Sequence, residues 1–242
     1  MTRESDWHVF EKACEITASA VRVLTRFGAD VTMVEGSGCC GALNHHLGQT
    51  HAFERHAAAL VGDIASHGEV FDAIVTTTSG CGAVMRDYAF LLGAEDAGAI
   101  GSRVRDIGEV LAELPVLASG VLPKLRVAYH APCSLAHGMR CGTAVPSVLT
   151  KLGLDAVTAS DTNCCGSAGV YNVLQPAIAG ELQQRKAEAL NALDADVIVT
   201  GNIGCLAQIA PVVRAPVIHL VELVDWATGG PVPQALRGRI NA

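Results

Sequence analysis

Aromatic residues make up only 4% of this chain and charged residues only 17%. A core with so few rings must close on Ala, Val, Leu and Gly, which fits a compact α/β protein and excludes a disordered or fibrous one. The few charges sum to −7. That balance lacks the clustered Lys and Arg by which phosphate backbones are held, so nucleic acid is excluded as a partner. No apolar run approaches the roughly 20 residues that span a bilayer. The start, Met1 to Asp6, has no apolar stretch of the kind that defines a signal peptide. These absences imply a cytoplasmic chain without a transmembrane segment. There is also no G-x-G-x-x-G after a strand and no nucleophile elbow. At 242 residues the chain can bury a real core, either as one large α/β domain or as two lobes of about 120 residues.

What is abundant is cysteine, with nine residues. In a reducing compartment they are better explained by metal ligation than by disulfides, and the odd count agrees. Seven of them belong to two copies of one unit, three in the first and four, with Cys133, in the second. Cys39-Cys40-Gly41 is echoed by Cys164-Cys165-Gly166, and each pair is followed by a Gly-Cys, Gly80-Cys81 and Gly204-Cys205. The second Cys of the pair and the downstream Cys are 41 residues apart in the first copy and 40 in the second. The flanking segments match as well, Phe71-Asp72-Ala73-Ile74-Val75-Thr76 against Ala195-Asp196-Val197-Ile198-Val199-Thr200. One cysteine-binding unit therefore occurs twice, with residues 1–118 as the first lobe, 124–242 as the second, and Ala118 to Pro123 as the junction. Cys14 and Cys141 stand outside the repeat and read as ordinary buried or surface thiols.

Apolar spacing predicts helices over residues 9–27, stopping at Gly28, and over 51–67, 82–92, 104–114, 143–152 and 176–193. Strands are predicted at 31–34, 72–77, 125–130, 156–159, 197–200 and 217–220. Such alternation implies parallel sheets flanked by helices, with functional loops at the carboxyl ends of strands, where the repeated cysteines fall. The first copy has no equivalent of strand 125–130, because residues 1–7 are too polar to form one.

In the second copy Cys133, Cys164, Cys165 and Cys205 each follow a predicted strand, and four thiolates are the usual ligand set of a [4Fe–4S] cluster. Four thiolates also suit zinc, although adjacent cysteines are awkward for a closed tetrahedral site. The first copy offers Cys39, Cys40 and Cys81. A fourth thiolate would fall some 31 residues before Cys39, where the chain has Trp7 and His8. The first copy is therefore expected to bind metal more weakly, through a substituted ligand, or not at all. His45 and His46 could ligate metal or move a proton, but neighbours on a helix point apart, so at most one would face the site. His130 reads as a satisfied buried imidazole.

These motifs resemble the cysteine-rich CCG domain, which occurs in pairs in glycolate oxidase iron–sulfur subunits, lactate-utilisation proteins and heterodisulfide reductases. The segments that carry the resemblance run from Gly38 to Gly48, Asp161 to Gly169, Asn202 to Cys205 and Val221 to Pro231. It covers about residues 9–233 and is most specific for the glycolate oxidase iron–sulfur subunits. Three features depart from that pattern. The ferredoxin-like motif C-x-x-C-x-x-C-x-x-x-C-P is missing, the strand and cysteine that open the first CCG unit are missing too, and Thr78 and Asn202 stand where the wider pattern has the first cysteine of a C-x-x-C pair.

The resemblance implies an electron-transfer subunit of an oxidoreductase, non-catalytic by itself, with the seven repeat cysteines as metal ligands and Cys133, Cys164, Cys165 and Cys205 as the principal set. It implies flavin-containing glycolate oxidase subunits as partners, with FAD confined to them, a ferredoxin-like electron carrier, and peripheral attachment to the inner membrane through those partners. Lactate utilisation and a zinc-binding assembly protein are the alternatives.

Overall fold

The computed structural model describes residues 4–34, 38–68, 70–119, 122–159 and 163–239. Its first half contains α1 (Glu4–Arg26), α2 (Ala42–His46), α3 (Thr50–Ser66), β1 (Ile74–Thr76), α4 (Ser79–Arg86), α5 (Tyr88–Leu92), α6 (Glu95–Gly101), β2 (Val104–Asp106) and α7 (Ile107–Glu113). The second half contains β3 (Arg126–His130), a π-helical turn at Ser134–Gly138, α8 (Ala144–Lys151), β4 (Asp155–Thr158), α9 (Tyr171–Leu174), α10 (Pro176–Asn191), β5 (Val197–Thr200), α11 (Ile203–Ile209), β6 (Val217–His219) and α12 (Leu220–Ala227). All strand pairs among the described residues are parallel. One sheet pairs β1 with β2, and the other has the order β4-β3-β5-β6.

The repeat in sequence is a repeat in structure. The β1-β2 pair corresponds to β5-β6, and a helix leaves β2 and β6 through the same device, a capping box. Asp106 accepts from Gly108 N while Glu109 reaches back to Asp106 N; His219 and Glu222 do the same for α12. Each of these helices then crosses to the other half, α7 packing on α8 and α12 on α1. The largest apolar cluster consequently draws on both halves, from Ile16 and Val23 through Leu111 to Val148 and Leu223. A smaller cluster, including Ala128, Leu190, Ile198 and Ile209, fills the other face of the larger sheet.

Several predicted elements need correction. Residues 31–34 do not form a strand. In the second half the equivalent strand, β4, pairs only with β3, and the described residues of the first half hold no counterpart of β3; without that central strand there is no ladder to join. The helix predicted at 82–92 begins earlier, at Ser79, and breaks at Asp87. Residues 104–106, which the spacing assigns to a helix, are strand β2, and the helix starts only once Asp106 has capped it. The strand predicted at 217–220 ends at His219 for the same reason. Helices α6, α9, α11 and α12 have no counterpart among the predicted elements. Part of the predicted junction, Gly120 and Val121, lies outside the described residues, as do Asp161 and Thr162.

Asp106 carries an unusual load. Its side chain is fully buried, Oδ1 is used in the cap, and Oδ2 has no hydrogen-bond partner, as is also true of the buried Tyr129 hydroxyl. Burial pushes this carboxyl from 3.8 up to about 7; the Gly108 N–H and Arg86 oppose the rise and Glu109 adds to it. The folded chain thus holds the proton more tightly than the unfolded chain, and stability falls as pH rises from about 4 to about 7, by up to about 4 kcal/mol. Asn keeps the capping oxygen and replaces Oδ2 with a neutral donor. Asp106→Asn should therefore raise the melting temperature more at pH 8 than at pH 5, and a gain that is equal or larger at pH 5 would contradict this account.

Candidate metal centre

In the larger sheet β4, β3 and β5 are adjacent and parallel, so the loops that follow them leave from one edge. Cys133 lies just past β3, Cys164 and Cys165 follow β4, and Cys205 sits in the first turn of α11 after β5. Their thiols influence one another in series, Cys133 with Cys164, Cys164 with Cys165, and Cys165 with Cys205. Cys165 and Cys205 are buried, Cys164 is half-buried and Cys133 is exposed.

Charge is distributed unevenly along that chain. Hydrogen bonds from Cys133 and Cys165, helped by the Gly166 N–H and His130, hold the Cys164 thiol far below its ordinary range. Cys133 and Cys165 are pushed up, first by their interaction with Cys164, then, for Cys165, by Cys205, and by burial. One thiolate is thus favoured and its neighbours are opposed, as like charges crowded together require. A metal centre removes that repulsion, because coordination deprotonates the thiols outright. The donor set fits either an iron–sulfur cluster or zinc.

His130 also belongs to this site. Among the described residues, its ring nitrogen and the sulfurs of Cys165 and Cys205 form a group of three metal-capable atoms within 4.8 Å of one another. The ring is buried, and Nδ1 lies 3.1 Å from Oγ1 of Thr200, its cross-strand partner. Sequence reasoning identifies the buried imidazole but misses its contact with the thiols. Its position at the end of the strand that delivers Cys133 is the available signal.

The first copy repeats the turn. Gly41 N donates to Cys39 Sγ at 3.3 Å, as Gly166 N donates to Cys164 Sγ at 3.4 Å. A hydrogen bond from Cys81 lowers the Cys40 thiol to about 7 against the opposing effect of burial, and Cys81 is pushed up in return. Tyr88 anchors the turn by donating to Cys40 O at 2.7 Å. His45 stacks near Phe53, with ring centroids 5.1 Å apart. His46, lowered by burial and then by His45, faces the second copy's turn; a Cβ on Gly169 would lie 4.0 Å from its Cδ2. Neither histidine joins the group of three around His130. Of the two thiols outside the repeat, Cys14 is exposed and Cys141 buried.

Asn202 has a use that its position in the motif does not reveal. It caps α11, with Oδ1 accepting from Gly204 N at 2.8 Å and Cys205 N at 3.3 Å. Thr78, its counterpart, caps α4 without a side-chain hydrogen bond.

Two parallel-sheet units, each with a Cys-Cys-Gly turn and a third cysteine at the start of a helix, define a duplicated thiol-site α/β protein. The chain belongs to the family of cysteine-rich (CCG) domains, which matches it twice, at residues 10–86 and 127–210. It is 34% identical to the glycolate oxidase iron-sulfur subunit of Escherichia coli K12 over 87% of this chain and 53% of that protein. It is 29% identical to the probable glycolate oxidase iron-sulfur subunit of Bacillus subtilis 168, over 87% of this chain and 51% of that one. Lactate utilization protein A of Shouchella clausii is 27% identical over 78% of this chain and 81% of its own length. The chain thus spans about half the length of the two glycolate oxidase relatives.

The turn depends on glycine. Gly41 and Gly166 have φ of 77° and 90°, and a Cβ would lie 2.9 Å from Phe53 Cδ2 at the first and 2.5 Å from Ala179 O at the second. Gly153 also has a positive φ, 68°, but has nothing within 4 Å. Gly153→Ala should therefore cost about 1 kcal/mol from backbone strain alone. Gly166→Ala should cost about 3 kcal/mol, since a backbone carbonyl must also move. Equal losses in denaturant titrations of the two variants would refute the close-packed turn.

Proposed function

We propose that this chain is the electron-transfer part of an oxidoreductase complex of the glycolate oxidase type, with an iron–sulfur cluster of the [4Fe–4S] kind held by Cys133, Cys164, Cys165 and Cys205. The observation that carries this reading is that the four cysteines follow three adjacent parallel strands at one sheet edge, with Cys165, Cys205 and His130 within 4.8 Å of one another. The names of the relatives agree with it. On this reading residues 1–118 and 124–242 are two cysteine-rich lobes, with Cys39, Cys40 and Cys81 as the second metal set. A bound cluster would supply one-electron transfer, the chemistry a flavin partner needs in order to pass on what it takes from glycolate.

The chain's own groups hold and tune. Gly41 and Gly166 donate backbone hydrogen bonds to sulfur, His130 and Thr200 present a fixed polar pair beside Cys165 and Cys205, and burial of Cys165 and Cys205 keeps water from that side. The partners of this reading are FAD-containing subunits and a ferredoxin-like carrier. No helix among the described residues is long and apolar enough to cross a membrane, so attachment to the inner membrane would come through those partners. Lactate utilisation is the second reading, supported by the name of the Shouchella clausii relative, which the match covers over 81% of its length.

Anaerobically reconstituted protein should contain iron and acid-labile sulfide and be brown. Cys164→Ser or Cys205→Ser should lose both from the second copy. Protein that takes up only zinc would overturn the assignment. The purified chain should not reduce a dye with glycolate unless flavoprotein subunits are added, and turnover by flavin-free chain alone would require a catalytic role that this reading denies it.

A further inference from the structure

Ser79 is the first residue of α4, two positions before Cys81, and its side chain is fully buried. It does not serve its own helix. Its Oγ lies 2.7 Å from Oγ of Ser134, the residue after Cys133, and accepts from Nδ2 of Asn202 at 3.0 Å. The orientation of that amide is fixed by chemistry, because Oδ1 must face the two backbone N–H groups of Gly204 and Cys205. Nδ2 therefore points at Ser79, whose own proton is free to go to Ser134. A single hydroxyl from the first copy thus joins the segment that carries Cys133 to the cap of the helix that carries Cys205.

We propose that Ser79 is a positioning residue for the second copy's thiols, fixing the Cys133 turn relative to the start of α11 and linking both to the helix that carries Cys81. The importance of that link for electron transfer rests on the cluster reading above, while the link itself does not. Cys133 and Cys205 are far apart in the sequence and leave the sheet from different strands. The spacing between these two thiols decides whether one centre can be held by all four sulfurs. Ser79 is suited to set it because hydrogen bonds in series polarise one another and are costly to break when buried. Removing the hydroxyl strands the Asn202 amide, which is only 8% exposed.

The test uses the full chain without metal. Cys133 is exposed, so its rate of alkylation by N-ethylmaleimide can be read by mass spectrometry, and hydrogen exchange reports on the amides of Gly204 and Cys205. The control is exchange in α12, which tracks overall stability. In Ser79→Ala, Cys133 alkylation and the Gly204 and Cys205 exchange rates should each change by about fivefold relative to α12, the equivalent of one lost hydrogen bond. Ser134→Ala should alter Cys133 alkylation by a similar factor and leave α11 exchange as it was. Changes in Ser79→Ala that merely follow α12, or no change at Cys133 and α11, would overturn the proposal. Iron content of the reconstituted wild type, measured separately, decides the cluster reading; its failure would leave the alkylation and exchange results to decide the role of Ser79.

Discussion

Helix α12 sets the condition that the rest of the molecule must meet. Every residue from Leu220 to Ala227 is buried, including the carboxylates of Glu222 and Asp225. A buried carboxylate is tolerated only when paired and hydrogen-bonded, and α1 supplies the partners. Lys12 meets Glu222 at 2.5 Å, Arg22 meets Asp225 at 2.6 Å, and Arg26 reaches Asp225 at 3.1 Å and Thr228 at 2.6 Å. A helix near one end of the sequence is thereby locked to one near the other. Because α12 starts directly from β6, whose neighbour β5 leads to Cys205, this pairing also fixes one side of the thiol site.

Duplication explains the rest of the architecture. The halves are joined by exchanged helices, α12 on α1 and α7 on α8, rather than by a flat interface. Polar ties cross the same boundary. His219 accepts from Val221 N through Nδ1, so its other nitrogen, Nε2, carries the proton and donates to Thr77 O at 3.0 Å. Complete burial lowers this imidazole to about 4, which keeps it neutral. The equivalent cap in the first half is Asp106, whose burial acts in the opposite sense on pH dependence because an acid is neutral when protonated and a base when deprotonated. The two caps thus narrow the range of stability from both sides, acid protonating His219 and alkali ionising Asp106.

The sulfur chemistry follows the same logic of position. Cys164 and Cys39 have backbone N–H groups directed at their sulfur because the following glycines adopt left-handed backbone. Oriented N–H groups favour a thiolate, and the same geometry favours coordination. Asn202 and Ser79 add polar support on the far side, so the Cys205 end of the site is held by side chains and the Cys164 end by backbone.

The duplication, the parallel α/β class and the identity of the repeated cysteines are legible in the chain before it folds. They follow from local signals: adjacent cysteines with their glycine, β-branched runs such as Val197 to Thr200, and the spacing of apolar residues in α3 and α10. Which segments become strands is settled by pairing in three dimensions. Residues 31–34 have the right composition but no ladder, while 104–106 look helical and become β2 because β1 is there to pair with it. Assembly also brings His130 to the thiols and sets Asn202 and Ser79 behind them, since His130 meets them across a strand pair and Ser79 across the boundary between halves. Local propensity is written in neighbouring residues, but hydrogen bonds between residues 55 or 123 positions apart exist only once the sheets are assembled.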